Sequence, residues 1–129
     1  MTFIKAIIPI LLATSCNMSY YSSELSGGHV YVNEGEGMNQ ILPNSRKIQS
    51  LRFLKKYCDN GNYLCAWQAD TALFQSTKFN YGEYKKNTYY SNDLFYIINI
   101  RKDTLMGPYK REKFFWTCQK LGIKVYWRP

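Results

Sequence analysis

The chain has 129 residues, a hydrophobic fraction of 46% and a formal net charge of +8. The hydrophobic fraction is that of a globular chain and excludes a disordered one, and the length suffices for one domain around one core. No P-loop or dinucleotide-binding glycine pattern occurs, so the sequence does not indicate a nucleotide-dependent enzyme.

The N-terminal stretch MTFIKAIIPILLATSC has the order of a secretory signal. Lys5 provides a positive start, a short apolar segment follows, and small residues precede Cys16. The apolar segment is far shorter than the roughly 20 residues that a membrane-spanning helix needs. Residues 1–15 are therefore predicted to be a signal peptide that is removed from the mature protein.

The residues Ala13-Thr14-Ser15-Cys16 resemble the lipobox of bacterial lipoproteins, although leucine is usual where Ala13 stands. The resemblance implies that the Cys16 thiol carries a diacylglyceryl group, whose two acyl chains suffice as a membrane anchor. An ordinary secreted protein is the alternative, because Ala13 and Ser15 also form an A-x-A-like cleavage site at the same bond. Asn17 stands where Asp would retain a lipoprotein in the inner membrane. The expected location is therefore the periplasmic side of the outer membrane, if the source has two membranes.

The segment after the signal has no hydrophobic periodicity and is rich in Ser and Tyr. Residues 16–26 are therefore predicted to be a flexible tether that connects the lipid to a single domain at residues 27–129. Inside this domain, residues 29–32 and 40–42 are predicted to be short strands joined by a glycine-rich turn.

A β-hairpin is predicted where two strand-forming runs flank the sequence Asp59-Asn60-Gly61-Asn62. Asn-Gly is a strong hairpin signal, because a type I′ turn needs positive φ at both central positions. With Asn60-Gly61 at the centre of the turn, Cys58 and Cys65 become diagonal neighbours on one face. Their separation is marginal for a disulfide, although strand twist would shorten it.

The cysteine count depends on the fate of Cys16. If Cys16 is lipidated, Cys58, Cys65 and Cys118 remain, and one disulfide with one free thiol is expected in an oxidising compartment. Cys58 and Cys65 are the candidate pair, and pairing of either with Cys118 stays open. No pair of cysteines has the C-x₂-C spacing of a zinc site, so no metal and no cofactor is expected.

The C-terminal part alternates strand and helix signals. Residues 93–100 are nearly continuous in apolar residues and are predicted to be a central strand, and a short strand at 104–106 is predicted to end at Gly107-Pro108. Residues 110–121 have helical periodicity that ends at Gly122. Residues 123–127 are predicted to form a last edge strand. The predicted fold is α+β, in which a small antiparallel β-sheet of hairpins carries one C-terminal helix.

The domain resembles a family of small bacterial lipoproteins known only as a domain of unknown function. The matching segments share a hairpin motif ending in Gln, a strand followed by Gly-Pro, and a helix ending in Leu-Gly-Ile, at residues 63–68, 95–108 and 114–123. One departure is the missing capping box, since Lys110 and Lys113 stand where the family places Ser or Thr and Glu. The resemblance implies the lipid anchor and the fold, and it implies no activity.

Catalytic chemistry finds little support in the residue pattern. His29 is the only histidine in the chain and is interpreted as structural, because no partner motif accompanies it. Glu34 and Glu36 are the only closely spaced carboxylates, and they lie in a glycine-rich turn that is typical of a solvated loop. The alternative function is a small cell-wall hydrolase that uses carboxylates, because folding can bring carboxylates that are distant in the sequence together.

Residues 80–90 are the candidate binding segment, because tyrosines alternate there with lysines. Such side chains suit an envelope glycan or an acidic protein surface. The named candidates are Tyr81, Tyr84, Lys85, Lys86, Tyr89 and Tyr90. The alternative is that these tyrosines pack on the sheet while the lysines are only solvated.

The predicted function is that of a lipid-anchored, non-enzymatic envelope protein that binds a macromolecular partner, as immunity proteins and inhibitors do. The net charge of +8 suits an acidic partner, although it also fits a basic surface that only maintains solubility. Because an exported protein seldom meets nucleic acid, no nucleic-acid partner is expected.

Overall fold

The computed structural model describes residues 21–34, 39–72 and 85–129. The predicted signal peptide and Cys16 lie outside these residues. The described chain forms a short 3₁₀ turn at Ser26–Gly28 and one long helix, α1, at Arg111–Leu121. Its seven strands are β1 Tyr21–Glu24, β2 Val30–Asn33, β3 Gln40–Leu42, β4 Leu54–Asp59, β5 Tyr63–Gln68, β6 Leu94–Asn99 and β7 Thr104–Tyr109.

The strands form two antiparallel sheets, one with the order β1-β2-β3 and one with the order β4-β5-β6-β7. The predicted α+β fold, with antiparallel hairpins and a C-terminal helix, is confirmed. β6 lies between β5 and β7, as its nearly continuous apolar sequence predicts.

The four-stranded sheet is buried on both faces. Side chains alternate between the faces of a strand, so Leu64 and Ala66 lie on one face of β5, and Cys65 and Trp67 on the other. Leu64 and Ala66 belong to a core that includes Tyr31 and Ile41 of the small sheet. Cys65 and Trp67 belong to a second core that includes Phe114 and Cys118 of α1. The described residues therefore form three layers: small sheet, large sheet and helix.

The prediction of a flexible tether over residues 16–26 is wrong for its second half. β1 pairs with β2 from Tyr21 opposite Asn33 to Glu24 opposite Val30. Leu25 is buried in the core between the sheets, and its N–H donates to the His29 carbonyl at 2.7 Å. This segment lacks alternating apolar residues because β1 is an edge strand that exposes most of its side chains. Residues 16–20 lie outside the described part of the chain.

The predicted register of the β4–β5 hairpin is also wrong. The Asn60 N–H donates to the Tyr63 carbonyl at 3.2 Å, which places Gly61 and Asn62 at the centre of the turn. Asp59 Oδ1 accepts the Gly61 N–H at 2.9 Å, and Asn60 Oδ1 accepts the N–H groups of Asn62 and Tyr63 at 2.9 and 2.8 Å. These side-chain acceptors favour a turn displaced by one residue, because Asp and Asn bond the backbone two residues ahead.

The last two predicted strands differ from the structure. β7 continues through Gly107-Pro108 to Tyr109. Its register against β6 shifts between Phe95 and Ile97. Gly107 permits this because its φ is +115° and a Cβ there would lie 2.7 Å from the Phe95 carbonyl oxygen. The predicted strand at residues 123–127 is absent from the described chain, where a single bridge joins Arg128 to Tyr57.

The predicted helix is confirmed, together with the glycine that ends it. α1 begins one residue later than predicted, and Gly122 follows it in the left-handed conformation with φ 72°. Phe114 and Cys118 of this helix are buried, whereas Leu121 is exposed. Trp116, on the opposite side, is 51% exposed.

Candidate partner-binding site

The described part of the candidate binding segment is a turn-rich loop at residues 85–93 that leads into β6. Lys85 and Lys86 are exposed, and Tyr89 and Tyr90 are half-buried. Tyr81 and Tyr84 lie outside the described residues. The structure therefore places four of the six candidate side chains, all of them on this loop.

Tyr89 packs on the sheet. Its ring stacks on Trp67 with a centroid distance of 4.3 Å and meets the edge of Phe115 at 5.9 Å. Its hydroxyl accepts the Trp127 Nε1–H at 3.1 Å. The alternative interpretation of the tyrosines, that they pack on the sheet beneath, therefore applies to Tyr89.

A buried ion pair holds the loop against the sheet. Lys55 of β4 and Asp93 at the end of the loop are 2% and 1% exposed, and Lys55 Nζ lies 2.9 Å from Asp93 Oδ2. Lys55 also donates to the Thr88 carbonyl at 2.7 Å. Asp93 Oδ2 further accepts the Trp67 Nε1–H at 2.9 Å and the Tyr90 N–H at 3.0 Å. The loop is thus fixed by bonds to charged groups rather than by apolar packing alone.

Aromatic rings surround the Lys55 ammonium group. Its Nζ lies 4.4 Å from the centroid of the Trp67 ring and 4.7 Å from that of Tyr90. Burial lowers the pKa of Lys55, while the hydrogen bond and the charge of Asp93 oppose this change. Sequence reasoning missed this cluster because Lys55 enters the core at a bulge, where Leu54 and Lys56 pair with adjacent residues of β5.

An open cavity of about 390 Å³ lies between the loop and the start of α1. Its lining combines aromatic, cationic and polar side chains, namely Tyr89, Tyr90, Ser91, Lys110, Arg111 and Glu112. The Arg111 guanidinium lies 5.3 Å from the centroid of the Tyr89 ring. The N-cap residue of α1, Lys110, makes no side-chain capping hydrogen bond, so the positive end of the helix dipole adds to these cations. The cavity therefore favours negatively charged groups.

A second open cavity, of about 560 Å³, lies at the ends of β5, β6 and β7. It is lined by two cations together with polar and apolar side chains: Asn62, Tyr63, Asn99, Arg101, Lys102, Thr104, Met106 and Leu121. No sequence pattern indicates this cavity, because its lining combines turns with residues of strands and of α1 that are distant in the chain. It offers a second cationic surface against which the first can be compared.

The candidate catalytic residues do not form a site among the described residues. His29 is buried, and its Nδ1 accepts the Asn44 N–H at 2.9 Å, which supports the structural interpretation. Glu34 is exposed and accepts the Gln40 Nε2–H at 3.2 Å. Glu36 lies outside the described residues.

Cys58, Cys65 and Cys118 are buried and are free thiols. Cys58 and Cys65 stand directly opposite each other in the hairpin, rather than diagonally as predicted. The disulfide between them stays a prediction. Among residues 21–34, 39–72 and 85–129, no group of three or more His, Cys, Asp or Glu side chains is placed to hold a metal ion.

No helix in the described part of the chain has the length and apolar character needed to cross a membrane. Comparison with known proteins gives no further identification: no protein-family model matches the sequence, and no similar curated protein or solved structure was found. The resemblance to the family of small lipoproteins therefore stays a prediction from the sequence.

Proposed function

We propose that this protein is a lipid-anchored, non-enzymatic envelope protein that binds an acidic protein partner, in the manner of an immunity protein or an inhibitor. The observation that carries the proposal is the cationic and aromatic cavity beside the start of α1. The envelope location rests on the lipobox-like sequence that ends at Cys16.

The charge around this cavity supports an acidic partner. Lys110 and Arg111 line it, and the exposed Lys85 and Lys86 lie next to it because the Lys85 N–H donates to the Tyr90 hydroxyl at 3.3 Å. Among the described residues of the lining, Glu112 is the single carboxylate. Cations on one surface accelerate encounter with a partner of opposite charge and give specificity.

The composition and rigidity of the surface also support protein recognition. Tyrosine and arginine are enriched at protein interfaces and among the residues that dominate binding energy. The Lys55–Asp93 ion pair fixes the backbone under Tyr90, so less conformational freedom would be lost on binding.

Charge reversal at the two cavities tests this function. The double variant Lys110→Glu/Arg111→Glu changes the proposed surface, and Arg101→Glu/Lys102→Glu makes the same change in net charge at the second cavity. Each protein is cross-linked in an envelope extract and the captured acidic protein is quantified. We expect the first variant to lose capture by at least about tenfold and the second to retain it. Equal capture by both variants and the natural chain would contradict the proposed surface, and a captured glycan would replace the protein partner by an envelope polymer.

The anchor has a separate test. Cys16→Ser should abolish labelling by a fatty-acid analogue and release the chain from membranes, because both acyl chains are attached through this residue. Asn17→Ser is the matched control and should leave labelling unchanged. Labelling that survives Cys16→Ser would refute the lipid anchor and leave ordinary secretion as the explanation of the signal peptide.

A further inference from the structure

Three cysteines that are distant in the sequence converge between the large sheet and the helix. Cys58 lies on β4 and Cys65 on β5, and the register places them opposite each other. Cys118 lies on the buried face of α1 and belongs to the same core as the other two. We call these three side chains the thiol trio. None of them is required to form the cavities described above.

Cys65 is the central member of the thiol trio. Its thiol lies within interaction range of the thiols of both Cys58 and Cys118, and their interactions raise the pKa of Cys65. The Cβ atoms of residues that face each other across two strands are about 4.5–5.5 Å apart, which borders on the disulfide range. Cys65 therefore has a potential partner within its own sheet and another on the helix.

The electrostatic environment favours a thiolate at Cys58 and, in part, at Cys118, where a charge on Cys58 opposes it. The hydrogen bond with Cys65 lowers the pKa of Cys58 to about 6, although burial opposes this. The same kind of hydrogen bond lowers the pKa of Cys118, again against burial, whereas the pKa of Cys65 is raised. Arg128 and the backbone N–H of Tyr126 favour the Cys58 thiolate, and Asp59 disfavours it. A thiolate is the species that attacks a disulfide.

We propose that the thiol trio is a disulfide-exchange site in which Cys65 bonds alternately to Cys58 and to Cys118. The Cys58–Cys65 bond would link two strands that are already paired. The Cys65–Cys118 bond would attach α1 to the sheet and close a much longer loop, so it would stabilise the fold more. The proposal does not depend on the partner-binding surface.

The chemistry requires an external disulfide as the oxidant, either glutathione disulfide or the disulfide of a protein oxidase. The Cys58 thiolate attacks one sulfur of this disulfide, forms a mixed disulfide and releases the first thiol of the oxidant. Cys65 loses its proton and attacks the Cys58 sulfur, which forms the Cys58–Cys65 bond and releases the second thiol. The Cys58 thiolate and the Cys65 thiol together lose two electrons and one proton. The oxidant gains the two electrons, and its two released sulfurs take up this proton and one from water. The Cys118 thiolate then attacks Cys65 and releases the Cys58 thiolate, with no net redox change.

Access to the site is controlled by the C-terminal segment. The Cys58 Sγ lies 4.0 Å from the Lys124 carbonyl oxygen, and Cys58 is 3% exposed. Arg128 is bonded to the β4 edge through two backbone hydrogen bonds with Tyr57, at 3.1 and 2.7 Å. Trp127 also holds this end of the chain, through ring contacts with Trp67, Phe95 and Phe114. The oxidant therefore reaches Cys58 when this segment opens locally, without global unfolding.

The test maps disulfides in the full chain. The reduced protein, in detergent, is equilibrated with glutathione buffers of increasing oxidising strength, quenched with acid and alkylated. Chymotryptic cleavage after Tyr63 separates Cys58 from Cys65, and mass spectrometry identifies the linked peptides. We expect both Cys58–Cys65 and Cys65–Cys118 links, each with the third cysteine alkylated. A parallel sample in urea should also give the Cys58–Cys118 link.

Single variants test whether Cys65 is the shared member of both disulfides or whether any two of the three thiols can pair. Cys58→Ser should leave the Cys65–Cys118 link and Cys118→Ser the Cys58–Cys65 link. Cys65→Ser should lower intramolecular linkage by at least about tenfold. The proposal is overturned if the natural chain forms no link to Cys65 before it unfolds, forms only one of the two pairs at every buffer ratio, or forms Cys58–Cys118 as its main link. These results come from the natural chain, so they hold even if a variant does not fold.

Discussion

Lys55 shows how a charged side chain is accommodated in the core of this protein. A buried ammonium group without partners would cost several kcal/mol, so the chain surrounds it with Asp93, the Thr88 carbonyl and two aromatic faces. These partners belong to β5 and to the loop before β6. The cluster thus connects the loop that carries the proposed binding surface to the rigid sheet.

The first prediction concerns this ion pair. Lys55→Met should destabilise the fold by about 3–5 kcal/mol, because it leaves the Asp93 carboxylate buried without its charge partner. Asp93→Asn should also destabilise it, and the double variant should cost less than the sum of the two, because its residual groups are neutral. The measurement is the free energy of unfolding from urea denaturation. Additive effects within about 0.5 kcal/mol would show that the two side chains act independently.

The second prediction is a pH dependence that arises at Cys58. Its folded pKa of about 6 is below the usual 9.0 of an unfolded thiol, so between these values the unfolded state binds the extra proton. The free energy of unfolding of the reduced protein should therefore rise with pH over this interval, and this contribution should be lost as pH falls through about 6.

Cys58→Ser separates this contribution from other titrations. Lys55, whose pKa is lowered by burial, also makes the slope positive, so the relevant quantity is the difference between the natural chain and the variant. Urea denaturation in reducing buffer at several pH values measures it. Parallel pH profiles for the two proteins would contradict a thiolate at Cys58.

The helix α1 carries one aromatic side chain on its buried face and another on its exposed face. Phe114 is fully buried and stacks on Phe95 with a centroid distance of 4.8 Å. Trp116 is exposed, and Lys113 and Lys120 lie 4.2 and 5.2 Å from its ring centroid. The large side chain of Trp116 is therefore not part of the core that holds the helix.

The third prediction compares these two aromatic residues. Phe114→Ala should lower the free energy of unfolding by about 3–5 kcal/mol, because it opens a cavity beneath the helix. Trp116→Ala, the matched exposed control, should change it by less than about 0.5 kcal/mol. Thermal denaturation followed by circular dichroism measures both. Similar losses from the two substitutions would show that Trp116 also supports the packing of α1.

The elements with strong local signals could be predicted from the sequence. β3, β6 and α1 lie close to their predicted positions, and Gly122 ends the helix because it supplies a left-handed conformation. β1 could not be predicted, since a short edge strand needs no apolar face. The hairpin register also could not be read correctly, because Asp59 and Asn60 both compete to define the turn.

The candidate site could be predicted only in part, because it also depends on contacts between residues that are distant in the sequence. Tyrosine and lysine content identified the loop that contains Tyr89 and Tyr90, but Lys110 and Arg111 join it through the tertiary packing of α1. The pairing of Lys55 with Asp93 depends on a β-bulge and on a contact between distant residues. Local patterns do not encode such contacts, so they appear only once the sheet and the helix have been assembled.

The two sheets share one core. Ile41 of the small sheet is fully buried in the same cluster as Leu64 of β5 and Ile98 of β6. A cluster shared in this way should make the sheets unfold together, because neither sheet can expose its inner face without exposing the face of the other.

The last prediction tests this coupling. Ile41→Ala should cost about 2–5 kcal/mol, whereas Ile41→Val, which keeps most of the buried volume, should cost about 0.5–1.5 kcal/mol. Hydrogen exchange under native conditions then shows in which strands the free energy of opening falls. If the sheets form one cooperative unit, the slowest amides of β2, β5 and β6 lose the same free energy of opening in Ile41→Ala. If β2 alone loses protection while β5 and β6 keep theirs, the small sheet opens by itself, and the four-stranded sheet with α1 is the stable unit that supports the binding surface and the thiol trio.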